Sequence, residues 1–314
     1  MPQVTEACVS SITQSLERIN LATPEADLGL QTWPLLGPHL DSAHYLLLDP
    51  SVKQGKCEIK ETAREAVDSV MVINKSEPSI FALHGQLLRG AKQNRAINLT
   101  TMFPGHSETT IHVACVEQGR WNSGESFSDA SWVQSAAGRS EKLGSVLDDL
   151  ETTGAGKADQ HRVWSQQGLK ERHLNVQSRT HDEIEIQERG LDSYTRDVIT
   201  EWPLDPDQVG VILCANNLWA VEIFDKAETY ASFQPSLLRS FALEAVEARR
   251  CGTAARYAEP RTLLNHVWDA PWRSSRTHGA GQLLMSHDTL AKQCALVWRD
   301  TCVSISSSGR LEHV

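Results

Sequence analysis

The sequence contains no run of about 18 consecutive apolar residues, the length that a membrane-spanning helix needs. Its first 20 residues also lack the basic start and apolar middle of a signal peptide. The seven cysteines run from Cys8 to Cys302 without C-x-x-C spacing, so we expect free thiols in a reducing compartment and no disulfide framework. These absences predict a soluble, cytoplasmic protein that does not bind a membrane.

Familiar catalytic and phosphate-binding signatures are missing as well. No G-x-S-x-G, P-loop or G-x-G-x-x-G occurs, and the glycine-bearing segment TTGAGKAD does not follow a predicted strand. His106, His112 and Cys115 lie close in sequence, but strand alternation points His112 and Cys115 to opposite faces, and no fourth ligand has zinc-like spacing. We therefore predict no metal site and no cofactor.

What the chain does have is a globular composition with an acidic balance. Its 314 residues are 40% hydrophobic and 22% charged, which is close to the globular average. The length suits two domains of about 150 residues or one large domain with an insertion. A net charge of -10 argues against nucleic acid as a partner. We expect a small-molecule partner; the sequence does not determine whether a protein partner exists.

The order of strand and helix patterns predicts an α+β fold. Residues 1–27 are predicted to be a poorly packed N-terminal extension, and residues 28–135 a β-rich unit of short apolar segments separated by turn residues. Residues 136–205 are predicted to be helical and largely exposed. Residues 206–314 are predicted to form a hairpin, helix and hairpin unit that completes one composite domain.

The C-terminal unit carries the clearest local signals. Hairpin turns are predicted at Asn216–Asn217, because asparagine tolerates a positive φ angle, and at Arg299–Asp300. A helix between them carries an aromatic stripe that should pack on the sheet, and Pro235 should kink this helix or delay its start. The stripe consists of Tyr230, Phe233, Leu237 and Phe241.

Two polar clusters stand out in the β-rich unit. They are GAKQNR, residues 90–95, and EQGR, residues 117–120, and each contains a glycine beside strand-like apolar residues. Four cations and two acids between residues 89 and 120 give a local charge of +2 in a chain of -10. Arginine matches phosphate or carboxylate, and side-chain amides recognise polar edges. The alternative is that both clusters are solvated turns, with Arg95 and Glu117 paired across them.

These residues also carry a resemblance. GAKQNR and VACVEQGRW resemble the signature of the ARG and Rhodanese-Phosphatase-superfamily-Associated Protein domain family. ADQHRVW, residues 158–164, and the segment 209–246 are similar to later blocks of that family, so the resemblance covers roughly residues 28–306. It implies a link to ADP-ribose and NAD-derived metabolism. It also adds Trp121 and Asp159 to the ligand-binding candidates, although residue type alone predicts Asp159 as a helix N-cap.

The chain departs from this family at two positions. The family carries acidic residues in a D/E-G-E pattern just before the first block, whereas here His84 and Gln86 flank Gly85. If those acids supply a metal ligand or a general base, this copy is impaired or uses His84 instead. We therefore add His84 to the catalytic candidates and expect no tight magnesium site.

Two functions of different classes follow. The first is binding and hydrolytic processing of a small phosphorylated ligand of the ADP-ribose, NAD-derived or nucleotide type, with Glu117 as the general base. The second is a non-catalytic ligand sensor or protein-interaction module, as a degenerate family member would be. Because no second well-placed acid, nucleophile or metal set is visible, the sequence leaves enzymatic activity undecided. The residues predicted to hold the ligand in either case are Lys92, Gln93, Asn94, Arg95, Gln118 and Arg120.

Overall fold

The computed structural model describes residues 6–38, 44–62, 67–120, 126–253, 256 and 258–313. These residues form the predicted α+β fold. The helices are α1 (Glu6–Glu17), α2 (Leu48–Lys53), α3 (Ala136–Thr152), α4 (Gln160–Leu174), α5 (Glu183–Gly190), α6 (Ser193–Thr200), α7 (Ala227–Cys251) and α8 (Pro260–Trp268), and a short 3-10 helix covers Leu311–His313.

Strands run along most of the chain. The first group is β1 (Asn20–Leu21), β2 (Glu25–Asp27), β3 (Leu30–Leu36), β4 (Tyr45–Leu47), β5 (Cys57–Glu61), β6 (Ser69–Asn74), β7 (Ser79–Ala82), β8 (Gln86–Gly90), β9 (Arg95–Ile97), β10 (Thr101–Phe103), β11 (Ser107–Cys115) and β12 (Ser126–Val133). The second group is β13 (Gln208–Ala215), β14 (Leu218–Phe224), β15 (Arg273–Ser275), β16 (Gln282–His287), β17 (Ala291–Trp298) and β18 (Thr301–Arg310).

A large antiparallel sheet joins the two ends of the chain. Its order is β1-β3-β13-β14-β18-β17-β16-β15, and β2 also pairs with β3. Strand β3, from the segment predicted to be the β-rich unit, therefore pairs directly with β13 of the C-terminal segment. Burial of both sheet faces stabilises this pairing, since β13 and β14 are buried along their whole length. The domain boundaries placed from the sequence stay predictions.

Both predicted hairpins are confirmed, and they lie side by side in this sheet. Asn216 has a φ of 58° in the turn between β13 and β14, as the residue type allows. Arg299 and Asp300 have φ values of 50° and 60° between β17 and β18, which is the pattern of a tight hairpin turn. Strands β14 and β18 pair with each other, so the two hairpins share one sheet.

Helix α7 packs its predicted aromatic stripe against this sheet. Tyr230, Phe233 and Phe241 are buried, and the ring of Phe233 stacks on Phe224 of β14 at 5.6 Å. The helix begins at Ala227, well before Pro235, so the prediction that Pro235 delays the start was wrong. A proline removes one helical hydrogen bond, and the burial of the stripe on both sides of Pro235 offsets that loss.

A closed barrel of six strands forms the other half of the fold. Its order is β11-β6-β5-β12-β8-β9, and a small sheet of β10, β7 and β4 lies beside it. On β11, Ile111 and Val113 point into the barrel core while Thr110 is exposed, as the alternation predicted. Ala114 is also buried, because its face packs against α4 and α5. Both faces of β11 are therefore buried at its C-terminal end.

Two sequence predictions about packing were wrong. Helix α3 was expected to be largely exposed, but it lies between the barrel and the large sheet, where Leu143 and Leu147 are fully buried. Lys142 on the same helix is also buried, and its Nζ donates a hydrogen bond to the Ile97 carbonyl. Helix α1 was expected to pack poorly, but Ile12 and Leu16 are buried against the opposite face of the large sheet. The sequence pattern of neither helix predicted the sheet against which it packs.

No helix in the described part of the chain combines the length and apolar character needed to cross a membrane. All seven cysteines are free thiols.

Candidate functional site

One end of the barrel brings the two predicted clusters together. Strand β9 starts at Arg95, and β11 ends at Cys115, which is its direct cross-strand partner. The cluster that precedes β9 therefore meets the cluster that follows β11. Gln93 Nε2 donates a hydrogen bond of 2.8 Å to the Glu117 carbonyl oxygen across this junction. The two clusters therefore meet at one end of the barrel.

The Glu117 carboxylate is the centre of this junction. Only 4% of the residue is exposed, and its oxygens accept hydrogen bonds from three different segments. Arg120 Nε lies 2.8 Å from Oε1 and Arg120 Nη2 lies 2.7 Å from Oε2, so the pair is bidentate. The Asn94 amide donates to Oε2 at 3.1 Å, and Thr180 Oγ1 donates to Oε1 at 3.0 Å. The carboxylate is thus fully engaged by the protein.

Arg120 uses its remaining donors to close the loop that contains the first cluster. Nη1 donates to the Ala91 carbonyl at 2.9 Å, and Nη2 donates to the Gly90 carbonyl at 3.2 Å. Nη2 also lies 3.0 Å from Asn94 Oδ1. Glu117 and Arg120 together, which we call the Glu117–Arg120 lock, therefore tie the GAKQNR turn to the end of β11.

Arg95 is completely buried and belongs to the interior of the barrel end. Its Nη1 donates to Gln93 Oε1 at 3.2 Å, and its Nη2 lies 3.5 Å from Glu61 Oε1. The pairing of Arg95 with Glu117 that the sequence suggested is replaced by this pairing with Glu61. The register of β9 on β11 turns the Arg95 side chain inward, away from the position a solvent-borne ligand would reach.

A third segment, residues 178–183, completes the junction, and no sequence pattern predicted its position. The Gly119 amide donates to the Thr180 carbonyl at 2.9 Å, and the Glu183 amide donates to the Val116 carbonyl at 3.0 Å. Asp182 accepts from Asn94 Nδ2 at 3.0 Å and also caps helix α5. An aspartate ahead of an apolar periodic segment signals an N-cap, but it does not identify the partner across the fold.

Burial and charge move the pKa values of the two neighbouring carboxyl groups in opposite directions. Burial acts to raise the pKa of Glu117, but the hydrogen bonds from Arg120, Asn94 and Thr180 outweigh it and the pKa is lowered. Burial raises the pKa of Asp182, and the Glu117 charge adds to that increase against the hydrogen bond from Asn94. Glu117 is therefore a weak base, held ionised by its partners.

Three further predicted ligand-binding residues, Lys92, Gln118 and Asp159, belong to the described part of the chain. Lys92 is half-buried, Gln118 is exposed, and Trp121 lies outside the described residues. Asp159 is the N-cap of α4, where it accepts from the amides of the following turn, and its contacts do not reach Glu117. Its neighbour Gln160 does reach the junction, donating to the Cys115 carbonyl at 2.7 Å.

His84 and Gln86 lie away from the Glu117 carboxylate and have different partners. Only 2% of His84 is exposed, and its Nε2 lies 2.8 Å from Arg139 Nη2. Burial, then the charges of Arg139 and Lys142, lower the pKa of His84 well below its ordinary value, so the ring is neutral. No hydrogen bond joins His84 and Glu117 in the described part of the chain, so the two catalytic candidates lie in separate networks. Gln86 Nε2 donates to Asp49 Oδ1 at 2.7 Å.

An open groove of about 880 Å³ lies beside the third segment. Loop residues 175–179 and 181 form one wall, and α4 and α5 form the others. Arg172 and Arg179 line the groove, are exposed, and form no ion pair with any residue that the structure describes. Arg189 is paired with Glu185, and His181 with Glu171. We call this surface the arginine groove.

Metal ligation is not supported where the structure can be described: those residues contain no group of three or more His, Cys, Asp or Glu side chains placed to hold an ion.

The fold and site define an α+β protein in which a barrel end, fastened by a buried carboxylate and arginine pair, supports a cationic surface groove. The chain belongs to the ARG and Rhodanese-Phosphatase-superfamily-associated Protein domain family, whose match covers residues 18–308. The resemblance inferred from GAKQNR and VACVEQGRW is thereby confirmed. No curated protein matches the chain, and no solved structure matches it.

Proposed function

We propose that this protein is a non-catalytic binding module for a small phosphorylated ligand of the ADP-ribose or nucleotide type, which the arginine groove receives. The observation that carries this proposal is the pair Arg172 and Arg179, two exposed guanidinium groups on one groove without ion-pair partners among the described residues. An arginine fork matches the oxygens of a phosphate group, and a second fork nearby suits a diphosphate.

The charge and size of the groove fit such a ligand. Three arginines line it together with the carboxylate of Glu171, and Arg189 is also paired with Glu185, so the local charge is +1 in a chain of -10. A local reversal of this kind concentrates anions at the surface. The volume of about 880 Å³ lies within the range of roughly 300–1,000 Å³ that is usual for small-molecule sites.

The Glu117–Arg120 lock has a defined role in this proposal. It holds Thr180 through the carboxylate and through the Gly119 amide, and Thr180 lies next to Arg179 and His181 in the groove wall. A loop fixed before binding loses less conformational entropy when the ligand arrives. The Glu117–Arg120 lock would therefore hold the groove wall in place through Thr180 without contacting the ligand.

The state of Glu117 favours binding over turnover. A general base needs a free lone pair within reach of the substrate, and this carboxylate has a lowered pKa and is already bonded by Arg120, Asn94 and Thr180. One observation supports the hydrolytic alternative. The neighbouring carboxyl groups of Glu117 and Asp182 have pKa values shifted apart, which is a pattern of paired acid and base residues.

The test is calorimetric titration of the purified chain with ADP-ribose, AMP and inorganic phosphate. The variant Arg172→Gln/Arg179→Gln should weaken ADP-ribose binding by about tenfold or more, because each lost charge-assisted contact contributes about 1 kcal/mol or more. The control Arg18→Gln/Arg276→Gln removes the same charge from exposed positions outside the groove and should change affinity little. Binding should not need magnesium and should weaken as salt rises.

Two results would contradict the proposal in different ways. Unchanged affinity in the groove variant would remove the arginine groove as the site. Release of AMP from ADP-ribose by the parent protein, and its loss in Glu117→Gln, would establish the hydrolytic alternative instead.

A further inference from the structure

A second cavity lies on the other side of the barrel, between α2, β12 and α7. Its volume is about 300 Å³, and it has an apolar wall formed by Leu47, Trp132, Val133, Phe233 and Pro235. The polar groups facing it include Asp49, Gln86 and Arg239. A small apolar cavity with a few convergent polar groups is the usual form of a small-molecule site.

Arg239 is the most informative residue in this cavity. Its guanidinium carbon lies 4.4 Å from the centroid of the Trp132 ring, and its Nη2 donates to the Ser131 carbonyl at 2.7 Å. Its Nε is buried and has no hydrogen-bond partner, and no carboxylate of the described residues forms an ion pair with it. Burial lowers the pKa of Arg239. The Trp132 ring and the Ser131 carbonyl stabilise the charge, but no carboxylate of the described residues balances it.

The backbone of β12 is adapted to this position. Strand β12 shifts register against β8 between Asp129 and Val133, and Ser131 has a φ of 52° within that bulge. A left-handed serine costs conformational energy, and such strain and bulges concentrate at binding sites. Here the bulge directs the Ser131 carbonyl to Arg239 and its hydroxyl to Lys53 Nζ, which is 3.1 Å away.

The acidic group in the cavity does not neutralise the arginine. Asp49 Oδ1 accepts from Gln86 Nε2 at 2.7 Å, and Gln86 is itself only 2% exposed. Gln86 Oε1 accepts from the Leu83 amide at 3.2 Å. Asp49 and Gln86 are thus hydrogen-bonded to each other in the wall of the cavity. The charges of Asp49, Lys53 and Arg239 sum to +1.

From this geometry we infer that the cavity binds a small aromatic carboxylate, with its carboxylate on Arg239 and its ring against Trp132, Phe233 and Pro235. The volume lies at the low end of ligand sites and suits one or two rings. A carboxylate supplies the negative charge that Arg239 lacks, in the bidentate geometry that guanidinium favours. This site is separate from the arginine groove and does not depend on the function proposed there.

The experiment uses benzoate as the probe and benzamide, its neutral isostere, as the chemical control. We expect benzoate to bind the full chain with a dissociation constant below about 10 mM and benzamide to bind at least about tenfold more weakly. Arg239→Gln should weaken benzoate binding by a similar factor, whereas Arg172→Gln/Arg179→Gln should leave it unchanged. Binding is measured by calorimetry and by ligand-observed NMR.

A second variant, Ser232→Trp, tests the same cavity in case Arg239→Gln does not fold. Ser232→Trp places a large ring at an exposed position on the cavity wall, so it should block benzoate entry while the thermal unfolding midpoint stays near that of the parent. Equal binding of benzoate and benzamide, no binding up to about 10 mM, or full binding by both folded variants would each overturn the inference.

Discussion

Arg120 and Glu117 form a bidentate pair in which Nε lies 2.8 Å from Oε1 and Nη2 lies 2.7 Å from Oε2. The carboxylate is almost fully buried, while the Arg120 side chain is 22% exposed. This pair joins three parts of the chain that are far apart in sequence: the turn before β9, the end of β11 and the segment before α5.

We predict that Arg120→Lys lowers the free energy of unfolding by about 2 kcal/mol, because a lysine cannot reproduce the two parallel bonds to a buried carboxylate. Urea unfolding of the two proteins at neutral pH measures the difference. The matched control is Arg89→Lys, since Arg89 pairs with Glu188 at 3.1 Å where both side chains are about half exposed. That change should cost less than about 0.5 kcal/mol. Equal losses in both variants would contradict a structural role for the lock.

The lowered pKa of Glu117 gives the lock a pH dependence. Its folded-state pKa lies below the ordinary value of 4.5, so the ionised group stabilises the fold above that pH, and this stability is lost as pH falls through the folded pKa. The stability difference between the parent and Glu117→Gln should therefore be largest near neutral pH and shrink below pH 4.5.

Urea unfolding at a series of pH values checks this, with Glu108→Gln as the control. Glu108 is exposed on β11, and its replacement makes the same change in net charge. A difference for Glu117→Gln that stays constant from neutral pH to pH 3 would show that the ionised carboxylate is not the stabilising species.

Asp182 provides a test of the third segment. Asp182→Ala should lower the free energy of unfolding by about 1–2 kcal/mol, because it removes the cap of α5 and the acceptor for Asn94. Asp182→Asn keeps an N-cap acceptor and removes a charge that burial disfavours, so it should stay within about 1 kcal/mol of the parent. If the asparagine variant were as unstable as the alanine variant, the negative charge itself would be required.

Lys170 on α4 forms a buried ionic group with Glu244 and Glu247 of α7. Burial acts to lower the pKa of Lys170, but the two carboxylates outweigh it and the pKa is raised. Lys170→Met should cost about 3–5 kcal/mol, since it leaves Glu244 buried without its cation. Thermal and urea unfolding measure this loss.

Two comparisons give the Lys170 result its meaning. Lys60→Met removes a lysine whose side chain is 41% exposed, and it should cost less than about 1 kcal/mol. Adding Glu244→Gln to Lys170→Met should recover part of the lost stability, because it removes one unpaired charge. A double variant no more stable than Lys170→Met would show that the uncompensated charge of Glu244 is not the cause of the loss.

The sequence by itself indicated the polar residues of the candidate site but not their role. The two clusters meet in the structure because each adjoins the end of a strand, and those strands, β9 and β11, pair with each other. That Arg95 turns inward to Glu61 could not be read from its type, since arginine is usually exposed and the register of β9 decides which face it occupies.

The sequence by itself determined the features that depend on residues a few positions apart. These are the turns at Asn216 and at Arg299–Asp300, the aromatic stripe of α7 and the capping by Asp159. The tertiary structure decided the rest. The closed barrel, the pairing of β3 with β13, and the contact of Thr180 with Glu117 join residues separated by many tens of positions. Such contacts form because the whole arrangement buries its apolar faces together, and no short pattern encodes that sum.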